Sequence, residues 1–248
     1  MEFKSELIPA RFLRRYKRFF ADVEIAGKTV VAHVPNSGSM KGCQASGANC
    51  LVTHNPDPKR KLHYTLEMVE TPTSWVGVNT SHPNRLVMEL WESKKYKFWK
   101  TFDRAQAEVK ISEKSRIDFV FWSDQNEHLE TLKSINFKTS PMKFHFVEVK
   151  NVSLAQTNTA LFPDSVTERG QKHLLELMEL KEYGHSCEIL FVIQRTDCKL
   201  FSPADHIDPE YGMLLRKAVA QEVKATALIC EFTSRGVFLL PDEIEIRL

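Results

Sequence analysis

The sequence predicts an α+β protein in which a small N-terminal β-barrel precedes an α/β domain with a mixed central sheet. Three observations lead there. Residues 12–80 form short β-leaning segments punctuated by Gly and Pro. After Ser81 the texture changes to helical stretches alternating with longer apolar strands. Finally, 248 residues, 42% hydrophobic and 27% charged, suffice for one large or two small globular domains and exclude a disordered or fibrous chain. The expected domains are 1–80 and 81–248.

The first twenty residues, MEFKSELIPARFLRRYKRFF, carry charge throughout and no apolar run of signal-peptide or membrane-span length. A cytoplasmic location with no membrane partner is therefore expected. Segments 19–25, 29–34, 49–53, 64–69 and 75–78 read as five short strands. Strands so spaced fit a closed or nearly closed barrel, of which the OB-fold is the commonest nucleic-acid-binding example. Next come a helix over 84–93, basic connecting sequence, and strands over 107–111 and 117–122. The polar stretch 123–143, with Pro141 near its end, reads as a long hairpin loop or insertion before a strand over 144–150. In the helix over 166–183, Leu174, Leu177, Met178 and Tyr183 recur at helical spacing, with Asp164 or Ser165 as N-cap and Gly184 as stop. A strongly apolar strand over 188–194, a helix over 209–223 and strands over 226–232 and 237–240 complete the order αβββαβαββ.

The five cysteines, Cys43, Cys50, Cys187, Cys198 and Cys230, are odd in number and lack any C-x-x-C pair. They read as reduced, packed thiols and exclude a disulfide framework or a cysteine-rich zinc site. Net charge is only +2, yet Arg11, Arg14, Arg15, Lys17 and Arg18 crowd one acid-free block. Lys94, Lys95, Lys97, Lys100 and Arg104 form a second cluster opposed locally by Asp103. Two such patches on a near-neutral chain suggest a polyanion-facing surface.

The chemistry centres on Asp118 in SRIDFVF and on Glu148 and Lys150 in FHFVEVK. Side chains alternate along a strand, so Glu148 and Lys150 share a face and Asp118 can join them from a neighbouring strand. Two carboxylates meeting there suit Mg2+ or Mn2+, and Lys150 can offset charge developing on a phosphate. The alternative is an ordinary ion pair on an exposed strand, but carboxylates among Phe and Val are costly unless paired or metal-bound. Glu108, one strand earlier, is either an outer metal ligand or a salt-bridge partner. Arg169, Gln171, Lys172 and His173 cluster at the start of the following helix, where they either face a phosphate backbone or form the wet side of an amphipathic helix.

In RFLRRYKRFFADV, Arg14, Lys17 and Arg18 are placed to meet phosphates. Tyr16 is the one aromatic expected to reach a ligand, while Phe12, Phe19 and Phe20 are expected in the core. Asn36 and Ser37 in the loop VPNSGSMKG can belong to an anion-binding nest of backbone N–H groups or to a plain turn. Neither a P-loop nor an H-E-x-x-H pair occurs, and His145 between two phenylalanines reads as a packed core histidine.

RYKRFFADV, HVPNSGSMKGC, NRLVMEL, EKSRIDFVF, FVEVKNVSL, FPDSVTERGQKHLLEL and FSPADHID together resemble the sugar fermentation stimulation protein A family across nearly the whole chain. The resemblance implies an N-terminal OB-fold domain followed by a PD-(D/E)XK nuclease-like domain, with DNA binding as the shared activity. Its nuclease-like motif falls on Asp118, Glu148 and Lys150. Ser37 stands where the family's loop has threonine and keeps the hydroxyl, and the 123–143 stretch is longer than the family's. Two functions follow as expectations: a divalent-metal-dependent nuclease on DNA or RNA, or a non-catalytic DNA-binding regulator of sugar (maltose) utilisation genes.

Overall fold

The structure, a computed structural model, describes residues 1–113, 115–123, 129 and 131–248. In chain order the elements are β1 (Leu7–Tyr16), β2 (Phe20–Ile25), β3 (Lys28–His33), β4 (Asn49–His54), β5 (Tyr64–Glu70), β6 (Trp75–Gly77), α1 (His82–Glu92), a 3-10 turn (Lys97–Thr101), β7 (Arg104–Ser112), β8 (Ser115–Trp122) and β9 (His145–Val152). There follow β10 (Leu154–Gln156), β11 (Thr159–Phe162), α2 (Glu168–Glu182), β12 (Ser186–Ile193), β13 (Leu200–Pro203), α3 (Pro209–Ala220), β14 (Lys224–Phe232), β15 (Val237–Glu243) and β16 (Glu245–Ile246). Among the described residues, no helix is long and apolar enough to cross a membrane.

The first six strands run in the order β3-β2-β1-β4-β5-β6, and a parallel β3–β5 pairing closes five of them into a barrel. Alternation drives the closure: Ala21 and Val23 of β2, Cys50 and Val52 of β4, and Leu66 of β5 point inward and are fully or almost fully buried. The strand β1 is absent from the five expected ones. It is the longest of the barrel, pairing with β4 through Leu7–Arg11 and with β2 through Arg11–Tyr16, with a bulge at Leu13. The bulge shifts the apolar register, which hides a two-residue period in the sequence.

The second half is built on a mixed six-stranded sheet, β15-β14-β12-β9-β8-β7, in which β12 runs parallel to both β9 and β14. One face packs on α2 and α3 through Phe146, Ile189, Phe191, Leu174, Leu177 and Leu215. The other packs on α1 through Val147, Val149, Leu190, Leu86, Val87 and Leu90. A small sheet, β10-β11-β13-β16, was not expected, because strands of two to four residues carry too little periodicity to read. Within 123–143, residues 124–128 and 130 lie outside the described ones, so the expected loop or insertion is seen only in part. Its described part is not merely polar loop, since Leu132 and Phe137 are buried in the core. All five cysteines are buried and unpaired, as their spacing suggests.

Candidate functional site

The alternation of β9 settles how the central residues meet. Val147 and Val149 face α1, so Glu148 and Lys150 face α2, and both are buried. The Lys150 ammonium donates to Oε1 of Glu148 at 2.6 Å. His173, on the α2 stripe that continues through Leu174 and Leu177, presses its Nδ1 against the same oxygen. Its Nε2 lies 3.4 Å from Nε of Arg169, and its Nδ1 also lies 3.0 Å from the Lys150 ammonium, so the ring sits between two cations and the Glu148 carboxylate. The other oxygen, Oε2 of Glu148, is buried without a hydrogen-bond partner among the described residues. The hydroxyl of Tyr211 on α3 is likewise buried and unpartnered, and it feels the Glu148 charge.

Asp118 reaches the group from β8. The β8–β9 register pairs Phe119 with Val147, and one further step sets Asp118 opposite Glu148. Its Oδ2 accepts the backbone N–H of Val149 at 2.8 Å, and its Oδ1 accepts Nδ2 of Asn84 on α1 at 2.9 Å. Burial first, and then the Glu148 charge, push the Asp118 carboxyl up to about 6. Burial also opposes ionisation of Glu148, but Lys150 and His173 outweigh it and hold that carboxyl below its ordinary range. Two carboxylates with only hard oxygen donors, one of them carrying an empty buried oxygen, have the chemistry a hard divalent cation requires.

Glu108 stands apart. It sits in β7 with φ 54°, exposed, and lines an open cleft with Asp118, Arg116 and Arg169. Among the described residues no three of His, Cys, Asp and Glu are grouped closely enough to hold a metal ion, so Glu108 does not complete a set with Asp118 and Glu148.

The helix residues divide. His173, expected at a phosphate-facing surface, is instead buried against Glu148. Arg169 remains exposed. Gln171 donates to Asp208 at 2.9 Å, and Lys172 pairs with Glu176 at 3.3 Å one turn on. The α2 N-cap is Thr167, which accepts the N–H of Gly170 at 3.1 Å, rather than Asp164 or Ser165. Asp164 has another use, accepting Ser39 Oγ at 2.9 Å and the N–H of Met40 at 3.1 Å.

On the barrel, Lys17 and Arg18 form the β1–β2 turn with φ 45° and 63° and are exposed. Phe19, expected in the core, is 43% exposed beside them, whereas Phe12 is fully buried. Tyr16 stacks on Phe20 with ring centres 5.7 Å apart, and Arg14 pairs with Asp22 at 2.7 Å. The loop after β3 does not form an open nest. The N–H groups of Gly38, Met40 and Lys41 are taken by Asn36 Oδ1, Asp164 and Ser39 Oγ. Asn36 is buried and braces the loop by donating to the carbonyl of Val78 at 2.9 Å, leaving Ser37 exposed. Arg15 ties the same loop down through the carbonyls of Asn36, Gly38 and Ser39 at 2.6, 3.0 and 3.1 Å. Nothing local in the sequence marks Asn84, Tyr211, Asp208 or Arg15 for these roles, because each acts on a partner at least 21 residues away or, for Tyr211 and Asp208, through the packing of α3 on α2.

Comparisons with known proteins bear on the whole chain. A family model described as the sugar fermentation stimulation protein RE domain matches residues 81–236, and one described as the SfsA N-terminal OB domain matches residues 13–78. A sugar fermentation stimulation protein homolog of Bdellovibrio bacteriovorus is 48% identical over 96% of this chain and 96% of its own length. The homolog of Geobacter sulfurreducens is 45% identical over 89% of this chain and 88% of its own. The solved structure of Pyrococcus furiosus SfsA in complex with Ca2+ matches with a TM-score of 0.83 at 23% identity, covering 100% of this chain and 98% of that one. By the matched models and by relatives of this similarity and coverage, the chain belongs to the sugar fermentation stimulation protein family.

Proposed function

We propose that this protein is a divalent-metal-dependent nuclease acting on the phosphodiesters of DNA or RNA in the cytoplasm. Asp118 and Glu148 hold Mg2+ or Mn2+, and Lys150 is the catalytic cation. The observation that carries this reading is the buried, unpartnered Oε2 of Glu148 beside Asp118 and Lys150. A buried carboxylate oxygen without a donor is costly, and a cation removes that cost. The relative from Pyrococcus furiosus was solved in complex with Ca2+, which shares the oxygen preference of Mg2+. Asp118 and Glu148 would hold such an ion, which would supply Lewis acidity toward a phosphodiester. His173 holds Glu148 in place, Lys150 offers its ammonium to charge building on the phosphate, and exposed Arg169 meets the neighbouring phosphate at the mouth of the cleft. Lys17, Arg18 and Phe19 at the hairpin tip present cations and one ring face to the same strand.

The test is cleavage of labelled single- and double-stranded DNA and RNA with Mg2+ or Mn2+, and again with chelator. Asp118→Ala and Lys150→Ala should each lower cleavage at least about a hundredfold while binding persists. Intact substrate under every metal, with binding retained, would leave a non-catalytic DNA-binding regulator of sugar utilisation genes, the reading the relatives' name favours. In either case affinity should fall with added salt, and replacing Arg14, Lys17 and Arg18 together should flatten the logarithmic slope by about 2 to 3. An unchanged slope rules these residues out of the contact.

A further inference from the structure

A cleft of about 650 Å³ opens where the β3, β4 and β5 ends of the barrel meet the start of α1. It lies away from the carboxylate site, although Arg85, which lines it, directly follows Asn84, which holds Asp118. Its floor is Glu67, buried and already engaged by Thr53 Oγ1 at 2.7 Å, Asn79 Nδ2 at 2.8 Å and His82 Nε2 at 3.4 Å. That carboxylate is satisfied from within the protein. The walls are cationic, with Lys4, Arg60 and Arg85 against Glu67 and the exposed Glu2. Arg85 uses Nε on Glu89 at 3.0 Å. Arg60 makes no ion pair or side-chain hydrogen bond among the described residues.

The histidines report the same crowding. Burial and then Arg60 push His33 down, and burial and then Arg85 push His82 down to about 4, despite the Glu67 carboxylate beside it. Lys4, Arg60 and Arg85 outnumber Glu2 and Glu67 around the open cavity, and Glu67 is already engaged from within the protein, so the field favours an incoming anion while the neutral histidines can donate hydrogen bonds to it. The volume is that of a nucleotide-sized ligand rather than a lone ion. The guanidinium of Arg60, planar and unpaired, suits the paired oxygens of a phosphoryl group.

We propose that this cleft is a phosphoryl-binding site, accepting either the terminal phosphate of a nucleic-acid strand or the phosphates of a free nucleotide between Arg60, Arg85 and His33, which all line it. It does not depend on the nuclease reading, because no residue of the carboxylate site contributes to it.

Titration calorimetry with inorganic pyrophosphate, in chelator at fixed ionic strength, tests it on the intact protein. One-to-one binding is expected, weakened at least tenfold by Arg60→Ala and further by Arg60→Glu, and unchanged by Asp118→Ala. His33→Gln gives a second variant should Arg60 changes lower the melting temperature. Competition then identifies the source. Displacement by a 5′-phosphorylated but not a 5′-hydroxyl oligonucleotide assigns a strand end, and displacement by a nucleoside diphosphate assigns a free nucleotide. Absence of binding at millimolar pyrophosphate, or binding indifferent to both Arg60→Glu and His33→Gln, overturns the proposal whatever the cleavage assay returns.

Discussion

Asp118 is held where ionisation works against the fold. Its carboxyl titrates near 6 in the folded chain, against 3.8 without the fold. A raised carboxyl means that the folded state binds the proton more tightly, so the associated stability is complete below about pH 4 and is lost as pH rises through 6. The shift corresponds to about 3 kcal/mol. Urea unfolding in chelator should therefore show Asp118→Asn more stable than the parent by up to about that amount at pH 7.5, with the difference vanishing near pH 4. Added Mg2+ should narrow the gap by stabilising only the parent. A variant weaker at both pH values would contradict the electrostatic account. At this scale Asp118, Glu148 and Lys150 were legible, since residue type and the two-residue strand period are both local. His173 is visible by type, but its neighbour is not, because helical spacing tells which residues share a face and not what that face meets. Asn84 was invisible, its partner lying 34 residues on.

The helices that carry the site are fastened at their first turns, and one aspartate fastens both. Asp208 caps α3 by accepting the N–H of Tyr211 at 3.0 Å, and it also accepts the N–H of Thr167 at 2.9 Å and the side chain of Gln171. Thr167→Ala removes a single cap and should cost about 1 kcal/mol. Asp208→Ala removes bonds to both helices and should cost about 2 to 3 kcal/mol, read from denaturant midpoints at unchanged slope. Equal losses in the two variants would mean that Asp208 serves α3 alone. Most elements of five residues or more were legible from periodicity and turn residues, including α1, α2, α3 and the strands of the large sheet. The exceptions have physical causes: β1 is disguised by its bulge, and β10, β11, β13 and β16 are too short to show a period. The sequence places the start of α2 two residues early, because Asp164, a good cap by type, is drawn to Ser39 from the barrel.

Across the molecule, barrel and second half meet along a narrow backbone seam. Val76 forms an isolated bridge with Arg195, and the N–H of Gly77 donates to the carbonyl of Gln194 at 2.8 Å. A Cβ on Gly77 would stand 2.6 Å from the buried Gln194 amide oxygen and 3.1 Å from Phe232. Gly77→Ala should therefore cost about 1 to 3 kcal/mol by overpacking and lower the melting temperature by roughly 2 to 12 °C, measured by calorimetry. An unchanged melting temperature would show that the seam yields freely. A second fastening joins the halves where the Asp164 carboxylate grips both the hydroxyl of Ser39 and the N–H of Met40. Only three residues separate Asp164 from the first residue of α2. The arginine-pinned barrel loop and the helix bearing Arg169 and His173 thus share one anchor, so a displacement of that loop would pull directly on the first turn of α2.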